Sequence, residues 1–382
     1  MDKVSMIKCN SYDLHEVEQA MDESLKLIGG IDEYIKPGMR VLIKCNLLMK
    51  KSPEECTTTH PAVVEALVKQ VQSMGAIPII GDSPGGLFTR RILNGIYSTC
   101  GMAKVSERTG AELNYNTDFV EVSYPEGKIV KKLTVIKLLE EVDAVISIAK
   151  LKTHGMTLYT GGVKNLFGVV PGMTKAEYHL RMHKIEDFSN ALVDICSYVK
   201  PTLTIMDAVM GMEGDGPSAG TPRKIGAILA SNSPYAMDVV SSSLVGIPPE
   251  RVCTIQRAVE RGLSTYSLDD IELSGDPFDE MRIDDFKLPV TGEIGFFHRT
   301  FGKDSHLAKT LNHHLGPRPY FNYDECIGCR DCERYCPPKS IHMKDGKPVV
   351  DLKSCIRCYC CQELCPMKAV EIKQSWFFKT FN

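Results

Sequence analysis

Short apolar runs alternate with amphipathic stretches through residues 1–275 of this 382-residue chain. Four of the runs have the length and the bounding turn residues of buried strands. They are RVLIKCNLL, AIPIIG, VDAVISIAK and PTLTIMDAVMG, beginning at Arg40, Ala76, Val142 and Pro201. Continuous apolar strands separated by helices predict an α/β fold with a mostly parallel sheet that helices cover on both faces.

A helix is predicted between the first two strands. Thr59 or His60 would cap it, Pro61 stands in its first turn, and Gly75 ends it. The sequence between them, AVVEALVKQVQSM, repeats apolar positions with the period of an amphipathic helix. An anion would also be favoured at this helix start, beside His60.

Polar side chains stand at the end of each predicted strand. In open α/β sheets, ligands bind outside the carboxyl ends of the strands, where such side chains converge. We therefore expect a charged pocket for a substrate or cofactor at one edge of the sheet, although any one position alone would suit a solvated turn. The pocket residues are Lys44, Asn46, Asp82, Ser83, Lys150, Lys152, His154 and Asp207.

The stretch TGGVKNLFGVVPG follows the third strand and has the composition of an anion-binding loop. Gly161 and Gly162 allow positive φ and close backbone approach, so that successive N–H groups could form an anion nest. Lys164 would add a point charge, and Asn165 a directional donor. The spacing matches neither the P-loop nor the G-x-G-x-x-G fingerprint, so no nucleotide is implied. The alternative is a structural turn with a surface lysine.

Two further segments supply candidate chemistry. KAEYHLRMH places His179 and His183 four residues apart, on one face of a helix. We expect a histidine here to transfer protons or contact the substrate, with a two-histidine metal site and a structural role as alternatives. The glycine-rich segment GMEGDGPSAGTPR follows the fourth strand, and its Glu213 and Asp215 could bind a cation, a hydroxyl or a partner lysine.

Charge and hydropathy exclude several classes of protein. The net charge of −3 provides no global basic field for nucleic acid. No apolar run approaches the ~18 residues of a transmembrane helix. The first residues, MDKVSMIKCN, lack the apolar segment of a signal peptide. We therefore expect a cytoplasmic protein, in an anaerobic setting, without a nucleic-acid partner or a transmembrane segment.

Cysteine is unusually abundant, and nine of the fifteen cysteines lie between Cys326 and Cys365. Two runs, beginning at Cys326 and Cys355, repeat the pattern C-x2-C-x2-C-x3-C-P. In this pattern three closely spaced thiolates bind one [4Fe–4S] cluster, and the fourth cysteine of the run binds the other cluster. Zinc sites are the alternative, but they use C-x2-C pairs separated by longer gaps.

Residues 318–374 resemble a bacterial two-cluster ferredoxin on the strength of these two runs. The pattern assigns one [4Fe–4S] cluster to Cys326, Cys329, Cys332 and Cys365, and the second to Cys355, Cys358, Cys361 and Cys336. Cys360 is a ninth cysteine beside the ligand Cys361. A bystander thiol near the cluster is the simpler interpretation of Cys360, and ligand exchange is the alternative.

These patterns divide the chain into an α/β domain at 1–275, a connector at 276–317 and a ferredoxin-like domain at 318–382. We expect the connector histidines at the surface or an interface, or one of them near a cluster, where it could couple electron and proton transfer. They are His298, His306, His313 and His314. We expect the aromatic end to pack onto the larger domain, with a membrane or partner patch as the alternative. Its residues are Trp376, Phe377, Phe378 and Phe381.

Five motifs together resemble the domain-of-unknown-function 362 family, whose members often carry a ferredoxin-like tail of this kind. They are KCNLL, TTTHP, GDSPGG, KLKTHGMTLYTGGVKNLFGVVPG and MEGDGPSAGTPR. The resemblance covers nearly the whole chain, with one departure, because Cys45 stands where the family usually has proline. The family implies this fold and its tail, and it supplies no substrate.

A shorter stretch is similar to proteins of the lactate racemase type. In that family a Gly-Gly-x-Lys turn leads to Pro-Gly and a downstream histidine, and the lysine and histidines serve a nickel-pincer cofactor. The ferredoxin tail is foreign to that family, so the similarity implies a chemically active Lys164 rather than nickel. The matching positions are Gly161, Gly162, Lys164, Pro171, Gly172 and either His179 or His183.

Three functions are compatible with the sequence. The first is an oxidoreductase that takes electrons from a partner protein through two [4Fe–4S] clusters to a small anionic substrate, or to an additional unidentified cofactor, in the α/β domain. Lys152, His154 and Lys164 would bind and polarise the anion, and His154 or His179 would deliver protons. The second is an electron-transfer subunit or maturation factor for a partner enzyme. The third is an isomerase or cofactor-processing protein whose clusters are structural.

Overall fold

The computed structural model describes residues 1–293 and 315–374 of the chain. The strands are β1 (Asp2–Lys8), β2 (Arg40–Lys44), β3 (Ile77–Gly81), β4 (Glu112–Leu113), β5 (Phe119–Ser123), β6 (Lys132–Ile136), β7 (Ala144–His154), β8 (Leu158–Thr160), β9 (Leu203–Glu213), β10 (Thr221–Ser231), β11 (Ile271–Gly275), β12 (Arg318–Phe321), β13 (Ile341–Lys344), β14 (Lys347–Val350) and β15 (Val370–Lys373). The α-helices are α1 (Leu14–Leu27), α2 (Ile31–Tyr34), α3 (Pro61–Ser73), α4 (Arg90–Thr99), α5 (Met102–Thr109), α6 (Gly162–Asn165), α7 (Thr174–Arg181), α8 (Ile185–Val199), α9 (Pro234–Leu244), α10 (Cys253–Val259), α11 (Phe278–Met281), α12 (Asp331–Arg334) and α13 (Cys360–Glu363). Short 3-10 helices lie at Pro53–Glu55, Lys137–Glu140, Leu166–Val169, Pro249–Arg251, Leu268–Asp270 and Val290–Glu293.

Nine of the strands form one mixed sheet with the order β11-β1-β10-β9-β7-β2-β3-β4, and β8 pairs with β7 beside this path. Five neighbouring pairs are parallel, namely β1–β11, β9–β7, β7–β2, β2–β3 and β3–β4. The expected mostly parallel α/β fold is therefore confirmed. The pairs β1–β10, β10–β9 and β7–β8 are antiparallel. Strand β10 begins at Thr221, so the end of the segment predicted as a glycine-rich loop is strand instead.

Both faces of the sheet are covered, because alternate side chains of β2 enter different cores. Val41 and Ile43 lie in one apolar cluster with Leu67 of α3, whereas Leu42 lies in another with Leu192 of α8. Each such side chain contributes roughly 1.5–3 kcal/mol when it is fully buried. This two-sided packing fixes β3, β2, β7 and β9 side by side and parallel, so their carboxyl ends meet at one edge.

The boundaries around the first predicted helix show which local signals were reliable. Helix α3 is capped by His60, whose Nδ1 accepts the N–H of Ala62 at 3.2 Å, rather than by Thr59. Gly75 follows the helix end with φ of 71°. Strand β2 ends at Lys44 rather than at Leu48, because the N–H groups of Asn46 and Leu47 donate to the side chains of Thr59 and Asp82 instead of to a neighbouring strand.

Residues 318–374 form a small α+β unit of the expected kind. Strand β12 pairs with β15, and β13 with β14, both antiparallel. The two cysteine runs follow the same backbone path, since α12 and α13 each begin after a left-handed residue, Arg330 with φ of 69° and Tyr359 with φ of 61°. A small core holds the unit together and includes Phe321, Cys336, Ile341, Cys361 and Val370.

Candidate functional site

The eight predicted cluster cysteines surround two small cavities in this unit. One cavity is lined by Cys326, Cys329, Cys332 and Cys365. The other is lined by Cys336, Cys355, Cys358 and Cys361. Each set joins three thiols of one run to the fourth thiol of the other run, as the spacing predicted, and all eight are free cysteines. Four thiols around one small cavity fit the ligand set of an iron–sulfur cluster.

A larger pocket lies between the carboxyl edge of the sheet and the ferredoxin-like unit. It holds about 850 Å³ of empty space, its open mouth included. The ferredoxin-like unit contributes Tyr335, Cys360, Glu363 and Leu364 to its wall. The first, second and fourth of these stand next in sequence to a predicted cluster cysteine. The pocket wall is therefore continuous with the wall of the cysteine cavities.

Close contacts hold the two parts together at this wall. Ser218 Oγ donates to the backbone oxygen of Glu363 at 2.7 Å. A Cβ atom added at Gly85 would lie 2.6 Å from Cδ2 of Leu364, so the loop after β3 closely approaches the ferredoxin-like unit at this residue. The loop GDSPGG thus serves interdomain packing as well as the pocket.

The sequence-predicted site residues divide into three groups by position. Ten of them line the pocket: Asn46, Asp82, Ser83, Lys150, Lys152, His154, Gly161, Lys164, Asn165 and His179. Three lie directly behind its wall and contact lining residues or the loop at Gly161: Lys44, Gly162 and Asp207. One, Glu213, lies apart from the pocket.

Lys44 and Asp82 form a buried ion pair at the ends of β2 and β3, with 2.8 Å between Nζ and Oδ1. Asp82 also accepts the N–H groups of Leu47 at 2.6 Å and Ser83 at 2.8 Å. Lys44 donates further to Oδ1 of Asn165 at 3.2 Å. The two charges balance, so the pair leaves the net charge of the pocket unchanged. Its hydrogen bond positions Asn165 in the wall.

Lys150 and Asp207 form a second buried pair, with 3.0 Å between Nζ and Oδ2. The hydroxyl of Tyr12 accepts from Lys150 at 2.6 Å and donates to Asp207 at 2.8 Å. The ring of His60 stacks on Tyr12 at a centroid distance of 3.5 Å. Burial lowers the pKa of His60 to about 4, so this ring is neutral near pH 7. It therefore provides no positive charge for an anion at the helix start.

Lys152 has only neutral hydrogen-bond acceptors within the described ranges. Its Nζ donates to Oδ1 of Asn46 at 2.8 Å and to the backbone oxygen of Thr57 at 2.7 Å. Burial lowers the pKa of Lys152 to about 7, an effect that the Glu363 carboxylate opposes and the Lys164 ammonium reinforces. A perturbed lysine of this kind can exchange a proton near neutral pH.

The loop at Gly161 differs from the predicted anion nest. Gly161 has φ of −144°, and Gly162 is not among the glycines with positive φ, so that part of the prediction is wrong. The N–H groups of Gly162 and Val163 donate to the carboxylate of Asp238 on α9, which therefore occupies the nest. Burial raises the pKa of Asp238 to about 7. Close approach was predicted correctly, because a Cβ at Gly161 would lie 2.1 Å from Oδ1 of Asp238.

Lys164 projects from α6 into the pocket wall. It has no hydrogen-bond or ion-pair partner among residues 1–293 and 315–374. Its nearest aromatic neighbours are the rings of Phe167 and Phe188, with Nζ 5.3 and 5.8 Å from their centroids. Burial lowers the pKa of Lys164. An ammonium group without a partner at the wall of a pocket is available to a bound anion.

His154, at the end of β7, aims a free N–H at the pocket. Its Nδ1 accepts the N–H groups of Met156 at 3.0 Å and Thr157 at 3.3 Å, so Nε2 carries the proton of the neutral ring. Nε2 has no hydrogen-bond partner in the described part of the chain and lies 3.8 Å from Oε2 of Glu363. Burial, with Lys164 nearby, lowers the pKa of His154. The ring is therefore a neutral hydrogen-bond donor.

His179 and His183 do not share a helical face. Helix α7 ends at Arg181, so His183 lies beyond it and is exposed, whereas His179 is buried and lines the pocket. His179 stacks on Phe188 at 4.4 Å, and its Nδ1 has no partner among the described residues. Burial lowers the pKa of His179 to about 3. Neither histidine belongs to a metal-holding group of three or more side chains within the described ranges.

Glu213 and Asp215 bind the chain that follows β11 rather than a ligand in the pocket. Glu213 accepts the N–H of Lys287 at 3.1 Å and lies 3.7 Å from its Nζ. Asp215 accepts the N–H of Val290 at 3.2 Å. The lysine that pairs with Glu213 is thus the chain's own, and this loop fastens the segment that leads toward the ferredoxin-like unit.

Sequence reasoning missed Lys175, which reads as an ordinary surface lysine in the first turn of a helix. Its Nζ donates to both oxygens of Ser83, at 2.8 and 3.1 Å, and to the backbone oxygens of Pro84 at 3.2 Å and Val170 at 2.5 Å. Burial lowers the pKa of Lys175 to about 7. No local pattern marks it, because three of its four acceptors come from the loop after β3, 91 or 92 residues earlier.

Sequence reasoning also missed Glu363, which only tertiary contact brings to the pocket. Cys360 lies in the pocket wall and in neither cysteine cavity, in agreement with its interpretation as a bystander rather than a ligand. Both side chains belong to α13, one turn of helix that lies between the large pocket and the second cysteine cavity. The ferredoxin-like unit therefore supplies part of the pocket directly.

Some sequence candidates lie outside the described residues. They are the connector histidines His298, His306, His313 and His314 and the aromatic residues Trp376, Phe377, Phe378 and Phe381. Within the described part, no helix has both the length and the apolar character needed to cross a membrane.

Several known proteins are similar to this chain. The chain is 32% identical over 292 residues to a thylakoid-associated protein of Synechocystis sp., a match that covers 75% of this chain and 87% of the relative. Among solved structures it is similar to the lactate racemase apoprotein of Thermoanaerobacterium thermosaccharolyticum, with 12% identity and a TM-score of 0.41 over 64% of this chain and 57% of that one. A Thermotoga maritima protein matches with 12% identity and a TM-score of 0.32 over 54% of this chain and 52% of its own. At these TM-scores neither structural likeness informs the activity.

Two family descriptions match the sequence itself. Residues 318–366 match the 4Fe-4S dicluster domain, which supports iron–sulfur binding by the cysteine cavities and a role in electron transfer. Residues 41–243, just over half of the chain, match the domain of unknown function DUF362 and contain the pocket residues of the sheet edge. The chain therefore belongs to the DUF362 family and carries an iron–sulfur domain at its carboxyl-terminal side.

Proposed function

We propose that the protein is an oxidoreductase that passes electrons from two [4Fe–4S] clusters to a small anionic substrate, or to a bound cofactor, in the pocket of the α/β domain. One observation carries this proposal: the pocket wall is built partly by Cys360, which adjoins the cluster cysteine Cys361. In this division of labour, residues 1–275 bind the acceptor and residues 318–382 deliver electrons.

The exposure of the two cysteine cavities supports a direction for electron flow. In the first, Cys329 is exposed, and the neighbouring Ile327 is 63% exposed. In the second, Cys336 and Cys361 are buried, and α13 separates this cavity from the pocket. Electrons from a donor protein would enter at the first cluster and leave for the pocket from the second.

The pocket offers the groups that an anionic acceptor needs. Lys164 and Lys152 would bind and polarise an anionic oxygen, and His154 would donate a hydrogen bond from Nε2. When bound, each cluster supplies one electron. Two electrons and two protons together would reduce one C=C or C=O bond of the acceptor. The protons would come from solvent by way of Lys152, whose pKa near 7 suits exchange.

The direct test is turnover by the cluster-loaded, full-length protein under anaerobic conditions. Dithionite would reduce the clusters, a mixture of anionic unsaturated metabolites would be added, and cluster reoxidation would be followed by absorbance. Mass spectrometry should identify an acceptor that has gained two hydrogen atoms. Lys164→Met should slow its reduction roughly 100-fold, whereas Lys224→Met, at an exposed position of β10, should not.

Each outcome separates this proposal from its alternatives. No acceptor in an unbiased metabolite screen would contradict an oxidoreductase. Product formation without any cycling of the clusters would contradict electron delivery and favour an isomerase. Electron transfer to a copurified protein that Lys164→Met leaves unchanged would favour an electron-transfer subunit.

A cytoplasmic location is part of the same proposal, because reduced clusters need a reducing compartment. The relative from Synechocystis sp. is thylakoid-associated, so peripheral membrane attachment is the competing location. Fractionation of cells in low and high salt would separate the two. Recovery in the membrane fraction under both conditions would contradict the proposed location.

A further inference from the structure

The pocket carries more positive charge than its own carboxylates balance. Its charged lining residues within the described ranges are Lys150, Lys152, Lys164, Lys175, Asp82 and Glu363. Two of them are balanced from behind the wall, since Lys150 pairs with Asp207 and Asp82 pairs with Lys44. Three lysines then face one carboxylate, Glu363. The excess is two positive charges when all three lysines are protonated.

None of these three lysines contacts a carboxylate in the described part of the chain. Lys152 and Lys175 donate only to neutral oxygens, and Lys164 has no hydrogen-bond partner there. A buried ammonium without a counter-ion is costly, and the usual response is loss of the proton. The pKa values of Lys152 and Lys175, both lowered by burial to about 7, show this response.

We infer that the pocket binds a dianion, a small organic molecule with either two carboxylates or one phosphate monoester, and that Lys152, Lys164 and Lys175 are its counter-charges. This inference rests on the proposed function and names the class of its substrate or cofactor. Lys175 acts through charge, because its N–H groups already have acceptors in the protein. Lys164 and Nε2 of His154 have no hydrogen-bond partner among the described residues, so their N–H groups bind the oxygens directly.

The ferredoxin-like unit sets the charge that the pocket accepts. Among the described lining residues, Glu363 is the one carboxylate that no cation within 4 Å balances. The ring of His154 lies 3.8 Å away, but it is neutral. Replacing it with glutamine keeps the shape of the side chain and removes one negative charge. The excess then becomes three, which suits a trianion better than a dianion.

Binding is tested by calorimetry on oxidised, cluster-loaded, full-length protein at neutral pH, with acetate, succinate, methyl phosphate and tricarballylate as probes. Succinate or methyl phosphate should bind at least roughly tenfold more tightly than acetate, and the tighter of the two identifies a carboxylate or a phosphate site. Lys164→Met should remove this preference, and Lys224→Met should retain it. Glu363→Gln should move the preference toward tricarballylate.

Dianion binding should also take up protons, because it raises the lowered pKa values of Lys152 and Lys175. Titrations in imidazole and in Tris, which differ in ionisation enthalpy, measure this uptake. The charged groups that face the two lysines are Glu363, Lys164, Lys150, Asp82 and Lys44. Affinity should therefore fall as the pH rises above about 7.

Two results would overturn the inference. One is equal affinity of the wild-type protein for acetate, succinate and methyl phosphate, weak binding of all three included. The other is an unchanged ranking of the probes in Glu363→Gln. Because no turnover is involved, dianion binding together with no acceptor in the metabolite screen would overturn the proposed electron transfer and leave this inference standing.

Discussion

The cysteine cavities and the strand-edge pocket lie side by side, but the chain specifies them in opposite ways. Each cysteine cavity takes three thiols from one run of seven residues and a fourth from a matching run. The pocket takes its lining from Asn46 to Leu364, and its charge balance depends on Asp207, Tyr12 and Lys44 behind the wall. Local spacing therefore determines the first site, and sheet topology determines the second.

The largest expected effect tests the local rule at two positions of one run. Cys358→Ala removes a thiol from the second cavity, so we expect loss of one cluster and about half of the bound iron. Cys360→Ala, two residues away, should retain all the iron because Cys360 lies outside both cavities. Iron content and the electron paramagnetic resonance spectrum measure both. Loss of iron in Cys360→Ala would show that spacing misassigns the ligands.

The next effect tests the long-range rule at the pair of Lys44 and Asp82. Asp82→Asn leaves the ammonium of Lys44 buried without a counter-ion, so the free energy of unfolding should fall by about 3–5 kcal/mol. Glu121→Gln breaks an exposed ion pair with Lys132 and should change it by less than ~1 kcal/mol. Chemical denaturation measures both variants. Equal effects would contradict a structural role for the buried pair.

The pH dependence of stability at Asp238 also tests the long-range rule. Because its pKa in the folded protein, about 7, lies above its ordinary value of 3.8, the native state holds the proton more tightly, and stability falls as the pH rises between these values. In the wild-type protein the free energy of unfolding should fall by about 2 kcal/mol between roughly pH 5.5 and 7. Asp238→Asn removes the titrating group, so this fall should disappear. Thermal unfolding of both proteins across this range measures it. Parallel pH profiles would contradict the assignment.

The smallest effect concerns Lys164. Its ammonium has no hydrogen-bond or ion-pair partner within residues 1–293 and 315–374, so the apolar side chain of Lys164→Met should raise the free energy of unfolding by about 1 kcal/mol in the absence of ligand. Lys224→Met should change it by no more than ~0.5 kcal/mol. Denaturant titrations compare the two variants. A loss of stability in Lys164→Met would mean that the ammonium has a structural partner.

The sequence predicted the parts of the molecule that depend on local patterns. The parallel strands, the cap at His60 and the pairing of Cys365 with the first run follow from periodicity, helix-start chemistry and spacing. The polar strand ends were also recognised, because parallel strands bring their carboxyl ends together. The antiparallel strand β10 was not, since its start was obscured by glycines and proline.

The contacts inside the pocket could not be predicted from local sequence patterns. Asp238 occupies the nest at Gly162 from a helix more than seventy residues later, and no local pattern links the two segments. Lys175 and Glu363 look like ordinary surface residues in short helices, and only docking of distant segments brings them to the pocket. Which lysines remain unbalanced is a property of the whole fold.

The central claim is that the pocket and a cluster act as one electron-transfer unit, and a redox titration of Lys164→Met monitored by electron paramagnetic resonance tests it most directly. A nearby positive charge favours the reduced cluster, so removing the Lys164 ammonium should lower the reduction potential of one cluster, the one lost in Cys358→Ala. The other cluster should keep its potential, and Lys224→Met should change neither. Two unchanged potentials in Lys164→Met would contradict the claim that the pocket lies within electrostatic reach of its electron source.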